Sequence, residues 1–241
     1  MSENTIQVRL DGGVATVELA RPERRNAFNS AMAEELGRAL GEVAASDATV
    51  VVVRGRGPAF CAGWDLEEIA SLRDSGAEEM RRLFLRNVEI LRTFDQLPQP
   101  TIVGAHGAVA GFGLGLLARA DLSLVAAGTH LALPEIAHRI VPALVMLDLA
   151  GLPQPRNALE WLLSGEPFSP EDAAAAGLVT RVTAADELDE AVDRLARSIA
   201  AHDRETVLAT KRTFRQVRSM PGAEAETTAI QAAVSALAVT P

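Results

Sequence analysis

Apolar and polar residues alternate from the start of the chain. Ile6, Val8 and Leu10 are separated by Gln7 and Arg9, Asp11-Gly12-Gly13 supplies turn residues, and alternation resumes over residues 14–19. The pattern predicts a β-hairpin. Met32, Leu36, Ala39, Leu40 and Val43 then recur at helical spacing within a predicted helix over 30–45. Val50-Val51-Val52-Val53 is apolar without alternation, as expected of a strand buried on both faces of a parallel sheet. A longer helix is predicted over 77–97, with Met80, Leu83, Phe84, Val88, Leu91 and Phe94 forming one buried stripe. A strand at 101–104, a glycine-rich stretch at 107–115, a short helix to Arg119 and a strand at 122–125 follow. Beyond residue 142 the only strand signal is 178–182, among helical stretches at 143–150, 155–164, 170–176, 186–201 and 203–218. The recurring unit of strand, loop and helix defines an α/β chain. No linker divides it, so residues 1–182 read as the core and 183–241 as a helical C-terminal region of the same structural unit, suited to subunit contacts.

Composition narrows the chemistry. The 241 residues are 48% hydrophobic and 23% charged, and the net charge is −9. That balance is the balance of a folded, water-soluble protein. Its sign disfavours nucleic acid and anionic lipid as partners, so an anionic ligand must be held by local charge. No apolar run approaches the roughly 20 residues that span a bilayer. A single cysteine, Cys61, excludes an intramolecular disulfide, and with no signal-like start a cytoplasmic location is expected. His106, His130, His138 and His202 are scattered without ligand spacing, so no metal site is expected. There is no GxxxxGK[ST], no GxSxG, and Gly111-Phe112-Gly113-Leu114-Gly115 has the wrong spacing for a dinucleotide loop.

Three segments remain. Residues 21–29, RPERRNAFN, form a polar connection with three arginines; residues 59–66, AFCAGWDL, place small residues directly after a buried strand; residues 107–115 lead into a helix start. Each alone reads as a turn, a tight corner or a helix cap. A helix start does, however, present unpaired N–H groups and partial positive charge, and glycines let backbone approach a ligand closely.

In this order and spacing, with Asp121, Pro134-Glu135-Ile136 and Ala176-Gly177-Leu178-Val179 behind them, the segments resemble the crotonase superfamily, the enoyl-CoA hydratase and isomerase family, along nearly the whole chain. The resemblance implies a spiral of ββα turns with a helical C-terminal trimerisation region, a homotrimer or hexamer, and a place in fatty acid metabolism. It also implies a coenzyme A thioester as substrate, with no further cofactor. By the same resemblance the backbone amides of Trp64 and Phe112 form an oxyanion hole. Arg24 and Arg25 lie near the nucleotide part of the ligand, while Ala27, Phe28, Ala62, Gly63, Asp65, Leu66, Gly111 and Pro134 lie along the substrate route. The bulk of Trp64 and Phe112 predicts a narrowed or redirected acyl channel.

Glu135 matches the second of the two glutamates that hydratases of this family resemble one another in using, whereas the first falls on Gly115. Glycine can neither orient water nor move a proton. A single base is sufficient to shift a double bond from 3-enoyl-CoA to 2-enoyl-CoA, so isomerisation is the first reading. Hydration or other crotonase chemistry, with a second acid from Glu67, Glu68 or Asp148, is the alternative, and a catalytically silent acyl-CoA-binding protein is a third. Arg139, four residues past Glu135, would lower that carboxylate's pKa if the two paired, whereas apolar neighbours would raise it.

Overall fold

The computed structural model describes residues 4–74 and 76–238; residues 1–3, 75 and 239–241, which include the outer ends of both expected regions, lie outside the described residues. A hairpin opens the fold: β1 (Ile6–Asp11) pairs antiparallel with β2 (Val14–Leu19). The turn between them consists of Gly12 and Gly13, at φ 54° and 80°, where a Cβ would be strained. Helix α1 (Ser30–Ala44) begins at Asn29, whose side chain accepts from the Met32 amide at 2.9 Å. It leads to β3 (Val50–Gly55), then α2 (Leu66–Asp74) and α3 (Ala77–Asp95). The next turn comprises β4 (Thr101–Ala105), β5 (Ala108–Ala110) and α4 (Phe112–Arg119), and the following one β6 (Leu122–Ala126), β7 (His130–Ala132) and a short 3-10 helix over Pro134–His138. Helices α5 (Ala143–Ala150), α6 (Pro155–Ser164) and α7 (Pro170–Ala175) precede β8 (Arg181–Thr183), and α8 (Leu188–Ala200), α9 (Arg204–Val217) and α10 (Gly222–Ala238) complete the described chain.

The main sheet runs β1-β2-β3-β4-β6-β8, parallel throughout except for the opening hairpin. Its valines explain why β3 shows no polar alternation. Val51 and Val53 pack into the core beneath α1, α3 and α4, while Val50 and Val52 pack with Leu188, Ala191 and Val192 of α8 on the opposite face. Each buried valine contributes about 1.5–3 kcal/mol, so both faces of the strand reward an apolar side chain.

A second, smaller ladder runs beside the sheet. Strands β5 and β7 pair in parallel, and single bridges join Phe28 to Trp64, Cys61 to Val109 and Leu131 to Phe168. Successive turns of the chain thus contribute a long strand to one layer and a short one to the other before a helix closes the turn, which is the expected spiral of ββα units. The sequence pattern did not predict β5, β7, α2 or α10.

Helix α9 lies against the core through charge. Lys211 Nζ sits 2.6 Å from Asp121 Oδ2 and donates to the Gln99 carbonyl at 2.8 Å, and Arg215 reaches Asp121 Oδ1 at 2.9 Å. Helix α10 packs on α9. Phe214, Ile230, Val234 and Leu237 of this pair are exposed. No helix among the described residues is long and apolar enough to cross a membrane.

Candidate active site

Two turns of the short ladder meet at the site. The amide of Phe28 donates to the Gly63 carbonyl at 2.7 Å and the amide of Asp65 to the Phe28 carbonyl at 2.9 Å. In a parallel bridge the residues on either side of Trp64 make these bonds, so the Trp64 N–H faces the opposite way. On that side Cys61 and Ala110 continue the ladder, the Ala110 amide donating to the Cys61 carbonyl at 2.9 Å. The chain then turns at Gly111 into α4. Phe112 is the first residue of that helix, where the N–H has no intrahelical acceptor. Among the described residues neither the Trp64 nor the Phe112 amide donates to a protein acceptor. A Cβ on Gly111 would stand 3.6 Å from the Gly63 Cα, so the two turns are in contact.

Gly111 is fixed by two demands. Its φ and ψ of 47° and −113° lie where L side chains are rarely found, and a Cβ there would approach Glu135 Oε1 to 2.9 Å. The carboxyl group of Glu135 therefore sits directly against the turn that carries the free helix-start amide. Pro134 at the first position of the 3-10 helix presets the backbone that presents it. Glu135 Oε2 is buried without a hydrogen-bond partner. Burial pushes the Glu135 pKa up, opposed only by its own backbone N–H.

Arg139 does not counter this shift. Its backbone is left-handed at φ 59°, closing the 3-10 turn with its N–H on the Ile136 carbonyl at 3.0 Å. Three residues per turn do not stack positions four apart, and no ion pair joins Arg139 to Glu135 among the described residues. The open question of pairing against desolvation is thus decided for desolvation.

The cavity in front of Glu135 measures about 250 Å³, with Gly63, Trp64, Ala110, Gly111 and Ile140 among its walls. Glu135 is its one carboxylate among the described residues, and His138 the other ionisable group. At Gly115 a Cβ would meet Leu91 Cδ1 at 3.0 Å and Val145 Cγ1 at 3.4 Å; hydrocarbon fills the place of a second acid. The three proposed substitutes are engaged elsewhere. Glu67 pairs with Arg24 at 2.8 Å, Glu68 accepts from the Ser30 amide at 3.0 Å, and Asp148 pairs with Arg119 at 2.9 Å.

The aromatic residues divide. Trp64 lines the cavity and packs edge-on against Phe84 with centroids 4.7 Å apart. Phe112 is buried and stacks on Phe28 at 3.6 Å, so of the two side chains expected to shape the channel only that of Trp64 stands on the cavity wall. Ala62, Leu66 and Pro134 also line the cavity, with Leu66 exposed at its edge. Ala27 lies at the arginine loop, its carbonyl accepting from Arg21 at 2.6 Å. Asp65 is buried beside Arg21 at 3.2 Å and Arg24 at 3.5 Å. Burial would raise its pKa, but the Glu67 amide and the two arginines hold it below the usual carboxylate range. Arg25 is exposed and left-handed at φ 50°.

Sequence reasoning passed over two contributors. Buried Asn26 accepts from the Arg21 amide at 2.8 Å and donates to the Ala59 carbonyl at 2.8 Å, clamping the arginine loop to the loop that carries Gly63. Met80, Phe84 and Val88 of the predicted stripe line a groove beside the cavity, Phe84 and Val88 packing on the core as well. His106 contacts the Gly57 carbonyl through Nε2 at 2.8 Å, a structural role. Burial pushes the Cys61 thiol up to about 11. No group of three or more His, Cys, Asp or Glu among the described residues is placed to hold a metal ion. A larger cavity of about 1020 Å³ lies under α9, away from Glu135, and its Lys211, Asp121 and Arg215 bind one another.

A ββα spiral whose adjoining turns carry free amides beside a buried carboxyl group defines a class of protein, and comparison with known proteins agrees. The chain matches the enoyl-CoA hydratase/isomerase family over residues 9–238, and it belongs to that family. It is similar to the mitochondrial enoyl-CoA hydratase domain-containing protein 3 of Rattus norvegicus, 28% identical over 207 residues, covering 86% of this chain and 68% of the relative. It is 32% identical over 201 residues to a putative enoyl-CoA hydratase of Thermus thermophilus, covering 83% and 79% of the two chains. The crystal structure of an enoyl-CoA hydratase from Mycobacterium smegmatis superposes with a TM-score of 0.90 at 29% identity, over 98% of this chain and 91% of the other.

Proposed function

We propose that the protein shifts the double bond of an acyl-CoA thioester from the 3-position to the 2-position, with Glu135 as the proton carrier. The observation that carries this reading is the single carboxylate of the cavity among the described residues, together with the packing of Leu91 and Val145 where a second acid would stand. Glu135 takes a proton from C2, and the C–H electron pair spreads into a dienolate whose negative oxygen accepts hydrogen bonds from the amides of Trp64 and Phe112. Backbone donors of this kind, fixed in a water-poor site, stabilise such an oxygen by several kcal/mol. The acid form of Glu135 then returns the proton to C4, which leaves the new double bond between C2 and C3 and restores the carboxylate. The raised pKa suits this task, because a proton accepted in the first step must be released in the second.

Coenzyme A enters as part of the substrate, and no further cofactor is proposed. Its phosphates would meet Arg24 and Arg25; Arg24 must then exchange Glu67 for the ligand. Residence in the cytoplasm is proposed with it on the single free cysteine, although the mammalian relative is mitochondrial by name. The exposed face of α9 and α10 supports a homotrimer or hexamer as part of the same proposal.

Incubation with 3-hexenoyl-CoA tests the reaction. Wild-type protein is expected to form 2-hexenoyl-CoA, and Glu135→Gln to lose about 10²–10⁴-fold in rate. Hydration is the second reading, favoured by the names of the relatives; conversion of 2-hexenoyl-CoA to 3-hydroxyhexanoyl-CoA, with 3-hexenoyl-CoA left unchanged, would establish it and overturn isomerisation. Tight binding of both esters without turnover would identify a silent binding protein.

A further inference from the structure

The cavity at Glu135 does not end at Trp64. A groove of about 550 Å³ runs between α3 and the start of α5, walled by Met80, Phe84, Val88 and Leu144. Ile140 lines both spaces, and Trp64 of the cavity packs against Phe84 of the groove at 4.7 Å. The two spaces therefore adjoin, and an acyl chain whose thioester lies at Gly111 would pass these side chains to reach the groove.

Two guanidinium groups border that groove, Arg81 and Arg139. Both are exposed, and neither side chain has an ion-pair or hydrogen-bond partner among the described residues. Their neighbours on α3 behave differently. Arg82 pairs with Glu79 at 3.1 Å, Arg86 with Glu34 at 3.6 Å and Arg92 with Glu89 at 3.1 Å. In a chain of net charge −9, two unpaired arginines on one apolar groove are a local concentration of positive charge. Arg139 also holds the left-handed backbone, φ 59°, which a non-glycine residue adopts at a cost; such outliers concentrate where the side chain serves a function. Guanidinium forks match a carboxylate, and an apolar surround strengthens the pairing.

We propose that the acyl group ends in a carboxylate, which Arg81 and Arg139 receive at the wall of the groove. The substrate class is then the monothioester of coenzyme A with an unsaturated dicarboxylic acid. This inference rests on the acyl-CoA reading above, and calorimetric titration with non-reacting esters separates the two. The full chain is titrated with adipoyl-, suberoyl- and sebacoyl-CoA, each against the hexanoyl, octanoyl or decanoyl ester of equal length. At least one carboxylated ester is expected to bind about tenfold more tightly than its partner, with a preference that shrinks as salt is raised.

Arg81→Gln combined with Arg139→Gly should abolish the preference and leave the affinity for the plain esters unchanged. The glycine also relieves the left-handed backbone, and Arg81 is exposed, so this variant is expected to fold. Equal binding of every matched pair, or a preference that survives in the double variant, overturns the proposal while the acyl-CoA reading stands. Failure of all six esters to bind overturns both.

Discussion

Glu135 keeps a carboxyl group away from water beside a glycine that could not be any larger residue. Its raised pKa links it to stability. The folded state holds this proton at a pH where the unfolded chain has released it. The stabilising contribution is therefore complete below the ordinary glutamate value, about 4.3, and is lost as pH rises through the elevated folded value. Glu135→Gln removes that loss. Thermal unfolding of variant and wild type should show a Tm difference in favour of the variant that grows from about pH 4 towards neutrality, each kcal/mol amounting to about 2–4 °C at this chain length. A difference independent of pH would contradict the burial of the ionised form. Of the neighbouring residues, Arg139 was legible as a possible partner from its spacing alone. Its left-handed φ is what removes it, and no residue pattern announces that a non-glycine will adopt such a conformation.

The helices set what the site lacks. Helix α4 brings Gly115 against Leu91 of α3 and Val145 of α5, so Gly115→Glu places a carboxylate in hydrocarbon. Urea unfolding should find that variant destabilised by about 3 kcal/mol or more, with no gain of hydroxyacyl product; a stable variant that hydrates would show that the gap is open after all. Periodicity revealed the larger elements, because α1 and α3 have an apolar stripe and β3 is apolar on both faces. It was silent on β5 and β7, which are three residues each and too short for a period to show. Helix α10 is rich in alanine and threonine and exposes its apolar residues, so it lacks the contrast that marks a buried face. In α3, Met80, Phe84 and Val88 keep helical spacing, and the pattern could not show that this part of the stripe also walls a groove. Glu135 and the two free amides were legible only through the family resemblance, since their meeting depends on turns brought together by the short ladder.

At the scale of the whole molecule, α9 is tied to the core by charge and α10 is tied mainly to α9. Phe214, Ile230, Val234 and Leu237 remain exposed, an apolar face of the kind that subunit contacts cover. Sedimentation velocity should find wild-type protein as a homotrimer or hexamer, and Ile230→Glu with Val234→Glu should shift it towards monomer without unfolding the spiral. A wild-type monomer at micromolar concentration would remove this assembly from the proposal.

Asp121 follows α4 by two residues, at the opposite end from the Phe112 amide, and is gripped by Lys211 and Arg215 of α9. Eight helical residues therefore join the Phe112 amide, the proposed donor for the thioester oxygen, to a fastening on the C-terminal hairpin. On the proposed function, a displacement of that hairpin would bear on the proposed donor amide through this one helix.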